Sequence, residues 1–239
     1  MAINQLTFGG DLLPCTVERY PDFKKPSRKV TRYVVPGRNG DIVLFEDAFN
    51  NIEQAYEVYT GGGANEAPIF FGALAAVLYK VGYQKLSDTY DPTHFRLAMF
   101  YGGADVENSF NKHGKTTLIF DCRPERFLNS GDSYINVTSG QVLTNPTSFT
   151  AKPLIWVRIK AGVTASLTIG GNTLTIVSPF TTSAGSLYID CEAMNVYTSA
   201  GNPRNQYVSG TFPVLGSESL VEFGDGFEYV RIKPRFWEL

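Results

Sequence analysis

The stretch Ala165-Ser166-Leu167-Thr168-Ile169-Gly170-Gly171-Asn172-Thr173-Leu174-Thr175-Ile176-Val177 sets the fold class. Two short runs of Thr and β-branched or aliphatic residues flank Gly-Gly-Asn, whose backbone tolerates the positive φ that a tight reversal needs. That is a hairpin by turn chemistry. Downstream, Leu187, Ile189 and Cys191 alternate with Tyr188, Asp190 and Glu192, giving one dry and one wet face. Phe227 to Lys233 reads as a last strand, ended by Pro234. Upstream, Arg28 to Val35 alternates and stops at Pro36-Gly37-Arg38-Asn39-Gly40-Asp41, a second tight turn, after which Ile42 to Phe45 resumes an extended run. Leu97 to Tyr101 and Thr116 to Cys122 are also read as strands. Short strands with regular turn signals point to a mainly β chain and a β-sandwich.

One segment departs from this period. Phe70, Leu74, Val77, Leu78 and Val81 recur at helical spacing after Asn65 and Pro68, and Gly82 closes the run, which predicts a helix over 68–81 packed on a sheet. Gly61-Gly62-Gly63 reads as a hinge at its entrance. Lys80 to Phe95 is polar and turn-rich, with too few alternating apolar residues for a core strand. Asn129 to Ser133 reads as a linker, beyond which Thr, Ser and Gly dominate.

The chain has 239 residues, 43% hydrophobic and 18% charged, so it carries ample apolar surface for a core. The net charge of −2 gives no overall attraction to nucleic acid or anionic lipid. It also opposes self-association weakly. Met1 to Gly10 has no export signal, and Ile69 to Leu78 is too short to cross a bilayer, so a soluble product of the cytosol is expected. Cys15, Cys122 and Cys191 form no CxxC pair and are read as small buried apolar residues.

Candidate chemistry is sparse. His94 and His113 stand apart from each other and from any metal-ligand pattern, so neither a metal site nor a cofactor site is expected. Asp190 and Glu192 share the wet side of one strand, roughly 7 Å apart, a separation two-carboxylate glycosidases use. Exposed strand carboxylates ordinarily only solvate. Tyr197, Tyr207, Phe212, Phe236 and Trp237 are the aromatics that could form a sugar-stacking face, although core or interface roles are commoner.

Three ordered blocks carry a resemblance. They are Arg32-Tyr33-Val34-Val35-Pro36-Gly37-Arg38-Asn39-Gly40; then Phe120-Asp121-Cys122-Arg123-Pro124-Glu125-Arg126-Phe127-Leu128; then Tyr188-Ile189-Asp190-Cys191 with Phe212-Pro213-Val214-Leu215-Gly216 and Ile232-Lys233-Pro234-Arg235-Phe236-Trp237. In this order the chain resembles, over its whole length, the distal tail proteins (Dit) of long-tailed siphophages. Gly216-Ser217-Glu218-Ser219 stands where that family often has a Pro-Gly-Glu-Asn turn.

The resemblance implies an N-terminal β-sandwich over 1–130 with one helix and an extended arm, placed at 82–96. A galectin-like C-terminal β-sandwich follows over 131–239. It implies a structural protein of the virion, made in the host cytoplasm, with no enzymatic activity. The expected assembly is a homohexameric ring at the distal end of the tail. The ring joins the tail tube protein to the tail-associated baseplate hub protein, with the tape measure and receptor-binding proteins as further partners. No specific nucleic-acid binding and no membrane insertion are expected. The galectin-like label does not carry sugar binding with it, because the His-Asn-Arg cluster of true galectins has no counterpart here. A carbohydrate-binding adhesin module is the alternative reading. Residues expected to meet a neighbouring subunit are Asn39, Asp41 and Phe45, and in the arm Tyr83, Leu86, Tyr90 and Phe95. Lys24, Lys25, Arg28 and Lys29 form a small basic cluster, read as a solvated strand approach or a contact for an acidic tube surface.

Overall fold

Ile52–Tyr59 buries Ile52, Gln54, Tyr56 and Val58 and turns the residues between them outward, the period-two pattern of a half-covered strand. It sits inside a sheet whose order is Asp11–Leu12, Leu6–Phe8, Gln84–Asp88, His94–Met99, His113–Leu128, Ile52–Tyr59, Thr16–Arg19. This computed structural model describes residues 4–60, 66–103, 107–109 and 113–239. The chain divides into two units, the first reaching Arg126 and the second Phe127–Glu238.

The first unit closes its core by laying the helix Glu66–Leu78 over the sheet. Phe70, Leu74 and Leu78 recur every four residues and are buried with Leu6, Phe8, Val58, Leu118 and Phe120. Phe120 is fully buried, with its ring 5.2 Å from Phe8, 5.5 Å from Phe100 and 6.0 Å from Tyr56. Truncating it deletes three ring contacts and opens a cavity. Phe120→Ala is expected to cost about 3–5 kcal/mol in chemical denaturation; a loss below about 1 kcal/mol would mean that this core is not packed as described.

The second unit is a two-layer sandwich. One sheet runs Ile135–Val137, Phe227–Lys233, Leu154–Ile159, Gly185–Asp190, Asn195–Thr198; the other runs Gln141–Thr144, Glu218–Phe223, Thr164–Ile169, Asn172–Val177, Val208–Gly210. Ile155, Val157, Ile159, Leu187, Ile189 and Val230 from the first meet Leu167, Ile169, Leu174, Ile176 and Val221 from the second. The hairpin at Gly170-Gly171 turns with both glycines at positive φ, 57° and 83°, and pairs Ile169 with Asn172, as a two-residue turn requires. The substituted turn holds by another route: the Gly216 N–H donates to the Ser219 hydroxyl at 3.0 Å.

Several expectations are corrected. The helix ends at Leu78, before Val81, which is 96% exposed. Lys80 leaves the helix to reach the Asp11 carboxylate at 2.6 Å and the Gly9 carbonyl, and Gly82 turns the chain at φ 75°. Asn65 and Gly61-Gly62-Gly63 lie outside the described residues. The segment 82–96 is no arm. It supplies the hairpin Gln84–Asp88 and His94–Met99, sealed into the sheet by Leu86 and Phe95. Asn129–Gly131 is a 3-10 turn rather than a free linker, with Gly131 buried so closely under Phe236 that a Cβ there would meet the Phe236 nitrogen at 2.6 Å.

Candidate assembly surfaces

The only described strands outside the large sheets are Arg28–Tyr33 and Ile42–Phe49, which pair solely with each other. Their reversal is set by Val35-Pro36-Gly37-Arg38: the Arg38 N–H donates to the Val35 carbonyl at 3.2 Å and Gly37 takes φ 81°. Pro then Gly at the two central positions, the second with positive φ, is a type II turn. Register places Val30 opposite Phe45 and Arg32 opposite Val43 on one face, and Thr31 opposite Leu44 and Tyr33 opposite Ile42 on the other. Both faces are open. Phe45 is 62%, Leu44 56% and Val34 80% exposed, with Tyr33, Val35, Ile42 and Val43 exposed too. An isolated two-stranded ribbon is marginal in water, so apolar side chains on both of its faces need a covering partner.

A second open surface lies on the helix. Between Ala67 and Tyr79 it carries no charged residue. Its inner side fills the core, while Ile69 (73% exposed), Gly72, Ala76 and Tyr79 face outward, with Phe71 on the flank. A helix that is apolar on both sides belongs in an interior; here, among the described residues, one half of the run from Ile69 to Leu78 has no layer over it.

The expected neighbour-facing residues divide. Asn39, Asp41 and Phe45 are exposed on the freestanding hairpin. Tyr90 is exposed and stacks on Tyr20 at 5.0 Å. Tyr83 lies under the Arg123 guanidinium, and its hydroxyl accepts from the Asn51 amide at 2.8 Å. Leu86 and Phe95 are corrections: they are 2% and 8% exposed in the chain's own core and present nothing to a neighbour. The sequence reading passed over Tyr33, Val34 and the outer helix side, although the charge-free run 67–79 was a readable signal for the last. Lys24, Lys25, Arg28 and Lys29 are all exposed near the base of the hairpin.

His94 is less peripheral than its loop reading. Its Nδ1 lies 2.9 Å from Asp91, whose other oxygen accepts from Arg126 at 2.9 and 2.7 Å. Partial burial pushes the Asp91 carboxyl up, but His94 and Arg126 outweigh it and hold it below its usual value. This ion pair borders a cleft of about 40 Å³ lined by Tyr20, Phe23, Tyr56 and Asp88, in which the Tyr56 hydroxyl donates to Asp88 at 2.8 Å. Burial raises the thiols of Cys15, Cys122 and Cys191 to about 12, so all three stay protonated and inert.

In the second unit Asp190 ends its strand, and Glu192 sits in the following turn rather than beside it on the ladder. Asp190 accepts from Arg235 at 2.8 and 3.2 Å and from the backbone N–H groups of Glu192 and Ala193. Burial raises its pKa; Arg235 and the turn N–H groups win and lower it. This is an ionised carboxylate spent on holding a turn.

The candidate sugar-stacking aromatics serve mostly as packing, with Phe212 and Trp237 set against the core that holds Phe236. Phe236 is core, and Trp237 stacks on Phe149 at 4.4 Å and donates to the Thr150 carbonyl. Tyr197 joins a different row. Tyr197, Tyr188, Trp156 and Arg231 stand opposite one another on four adjacent strands. The rings stack at 5.6 and 5.7 Å within 13° of parallel, and the guanidinium lies 4.8 Å from the Trp156 ring centroid. Offset-stacked rings turn their faces to each other, so this row ties the strands together instead of offering a flat platform to a sugar.

No family model and no curated protein matches the sequence. Among solved structures the chain is similar to the SPP1 Dit (gp 19.1) protein, described as a paradigm of the hub adsorption apparatus in phages infecting Gram-positive bacteria. The TM-score is 0.70 at 14% identity, over 96% of this chain and 97% of that one. It is also similar to a chain of the phage P2 baseplate in its activated conformation with Ca, with a TM-score of 0.56 at 8% identity, over 96% and 97%. At these identities the likeness is one of fold, and it spans both units.

Proposed function

We propose that this chain is a structural subunit of a phage tail tip, a distal tail protein. In this reading six copies close into a ring that joins the tail tube to the baseplate hub and to host-attachment proteins. The freestanding hairpin, apolar on both faces, carries the reading. It is an expensive surface for a solitary protein and an ordinary one for a subunit whose neighbours cover it. A patch that mates with a different patch on the next copy generates a rotation, and six equal rotations that close make a ring. The likeness in fold to the SPP1 and P2 proteins supports the same assignment. No residue is asked to do chemistry; the function is to hold geometry.

Size-exclusion chromatography with light scattering tests this on the intact chain. A ring of six copies of 26.4 kDa has a mass of about 158 kDa. A species of that mass, alone or on adding a tail tube protein, is the expected result. A monomer at every concentration, with and without the tube protein, overturns the proposal.

A further inference from the structure

We infer that Asn39, at the tip of the freestanding hairpin, is a site of spontaneous covalent modification, at which the folded chain converts an asparagine into aspartate and isoaspartate. This holds for the single chain and needs no ring.

The reaction takes place between two neighbours in sequence. The Gly40 backbone nitrogen gives its proton to a base from solvent and attacks the Asn39 side-chain carbonyl carbon. An N–Cγ bond forms and the Cγ–Nδ2 bond breaks. Nδ2 takes a proton back and leaves as ammonia, and a five-membered succinimide remains. Water then adds at either ring carbonyl and opens the ring. One opening gives aspartate; the other routes the main chain through the side-chain carbonyl and gives isoaspartate. Overall one water enters and one ammonia departs, with no change of oxidation state.

Sequence, turn geometry and exposure meet at this pair. Asn39-Gly40 is the only Asn-Gly step in the chain. A side chain on the following residue crowds the attacking nitrogen, and glycine has none. Gly40 holds φ at 81°, and a Cβ placed on it would meet nothing within 4 Å, so open space surrounds the peptide that must swing. Both residues are exposed. The strand ladder ends with Tyr33 opposite Ile42, and the turn's own bond runs from the Arg38 N–H to the Val35 carbonyl. Neither reaches Gly40, whose N–H has no backbone partner among the described residues.

Asp225-Gly226 shows what packing prevents. It is the only Asp-Gly step and could close the same ring by expelling water. A Cβ on Gly226 would meet the Ala165 Cβ at 2.5 Å, and the Gly226 carbonyl accepts from the Lys160 N–H at 2.9 Å. That backbone cannot swing without unseating Ala165, which is part of the second core.

Each conversion at Asn39 adds one negative charge to a net of −2, two residues from Asp41. The isoaspartyl form also adds a carbon to the main chain between the two strands.

The test incubates the intact chain in mildly alkaline buffer, folded and in urea, with Asn39→Gln in parallel, since glutamine must close a six-membered ring and does so far more slowly. Peptide mapping reads the amide-to-acid mass gain, fragmentation identifies isoaspartate, and isoelectric focusing shows the acidic band. In the folded chain Asn39 is expected to convert at least about tenfold faster than any other asparagine, and within about tenfold of its own rate in urea, because a tip with no opening cost reacts like an unfolded chain. The acidic band should be missing from Asn39→Gln. A folded rate more than about tenfold below the urea rate would mean that the turn holds Gly40, and would overturn the inference. So would an acidic band that survives in Asn39→Gln, or Asp225 isomerising in the folded chain as fast as Asn39 converts.

Discussion

Arg235→Ala is expected to destabilise the second unit by about 3 kcal/mol at neutral pH. The guanidinium meets Asp190 in two parallel hydrogen bonds, with the two side chains 22% and 18% exposed. Removing it strands a largely buried carboxylate, and such losses fall between about 1.5–3 kcal/mol for a charged hydrogen bond and about 3–5 for a buried pair. The backbone sharpens the test. Arg235 holds φ at 57°, in the left-handed region that costs a residue with a Cβ about 1–2 kcal/mol. Arg235→Gly loses the same pair but relieves that strain, so it should be milder than Arg235→Ala by about 1 kcal/mol. Trp156 and Trp237, the chain's two tryptophans, both lie in this unit, so their fluorescence during urea unfolding reports on it directly.

The pH dependence follows from the direction of the Asp190 shift. Its folded pKa lies below the usual value, so near pH 4 the unfolded chain binds more protons and stability rises with pH. The contribution of the pair is complete above that range and is lost as pH falls through the folded pKa. The gap between wild type and Arg235→Ala should be widest at neutral pH and close in acid. A gap constant from pH 7 to pH 2 would assign the loss to packing instead of charge.

Much of the β architecture was legible because strand faces and turn chemistry are local. Phe227–Lys233 shows its period in seven residues, and Gly170-Gly171 announces a reversal that has no other use. What stayed hidden depends on contacts distant in sequence. Gln84–Asp88 fully buries one apolar residue, Leu86; its place in the sheet comes from the strands on either side, so by composition it looked like an arm. Asn129 to Ser133 has the composition of a linker, but the same small residues let the backbone of Phe236 press onto Gly131. The row Tyr197, Tyr188, Trp156 and Arg231 exists only through cross-strand register, which single strands do not encode. The assembly surfaces fall between these cases. The hairpin was readable through its turn, and the outer helix side through the missing charge. A single apolar stripe at helical spacing marks the inner half of the helix and carries no information about the outer half.

Leu44→Asp combined with Phe45→Asp is expected to abolish assembly and leave the fold untouched. The two residues point to opposite faces of the hairpin, so the pair of substitutions spoils whichever face meets a neighbour. An apolar side chain of this size contributes about 1.5–3 kcal/mol when buried. A carboxylate in its place must also be desolvated. A loss of about 3–6 kcal/mol per contact is a factor of roughly 10²–10⁴ in affinity. A closed ring repeats the defect at every junction, so the expected product is a monomer. Folding responds differently, because 56% and 62% exposure leaves these side chains little to lose within their own chain. Surface changes of that kind stay within about 0.5 kcal/mol, and the melting temperature of the monomer should move by no more than a few degrees. Light scattering and a thermal melt on one sample separate the two effects. Should the double variant keep the wild-type mass, the hairpin is not the junction. If it unfolds instead, the hairpin belongs to the core of its own chain, against the exposure of both its faces.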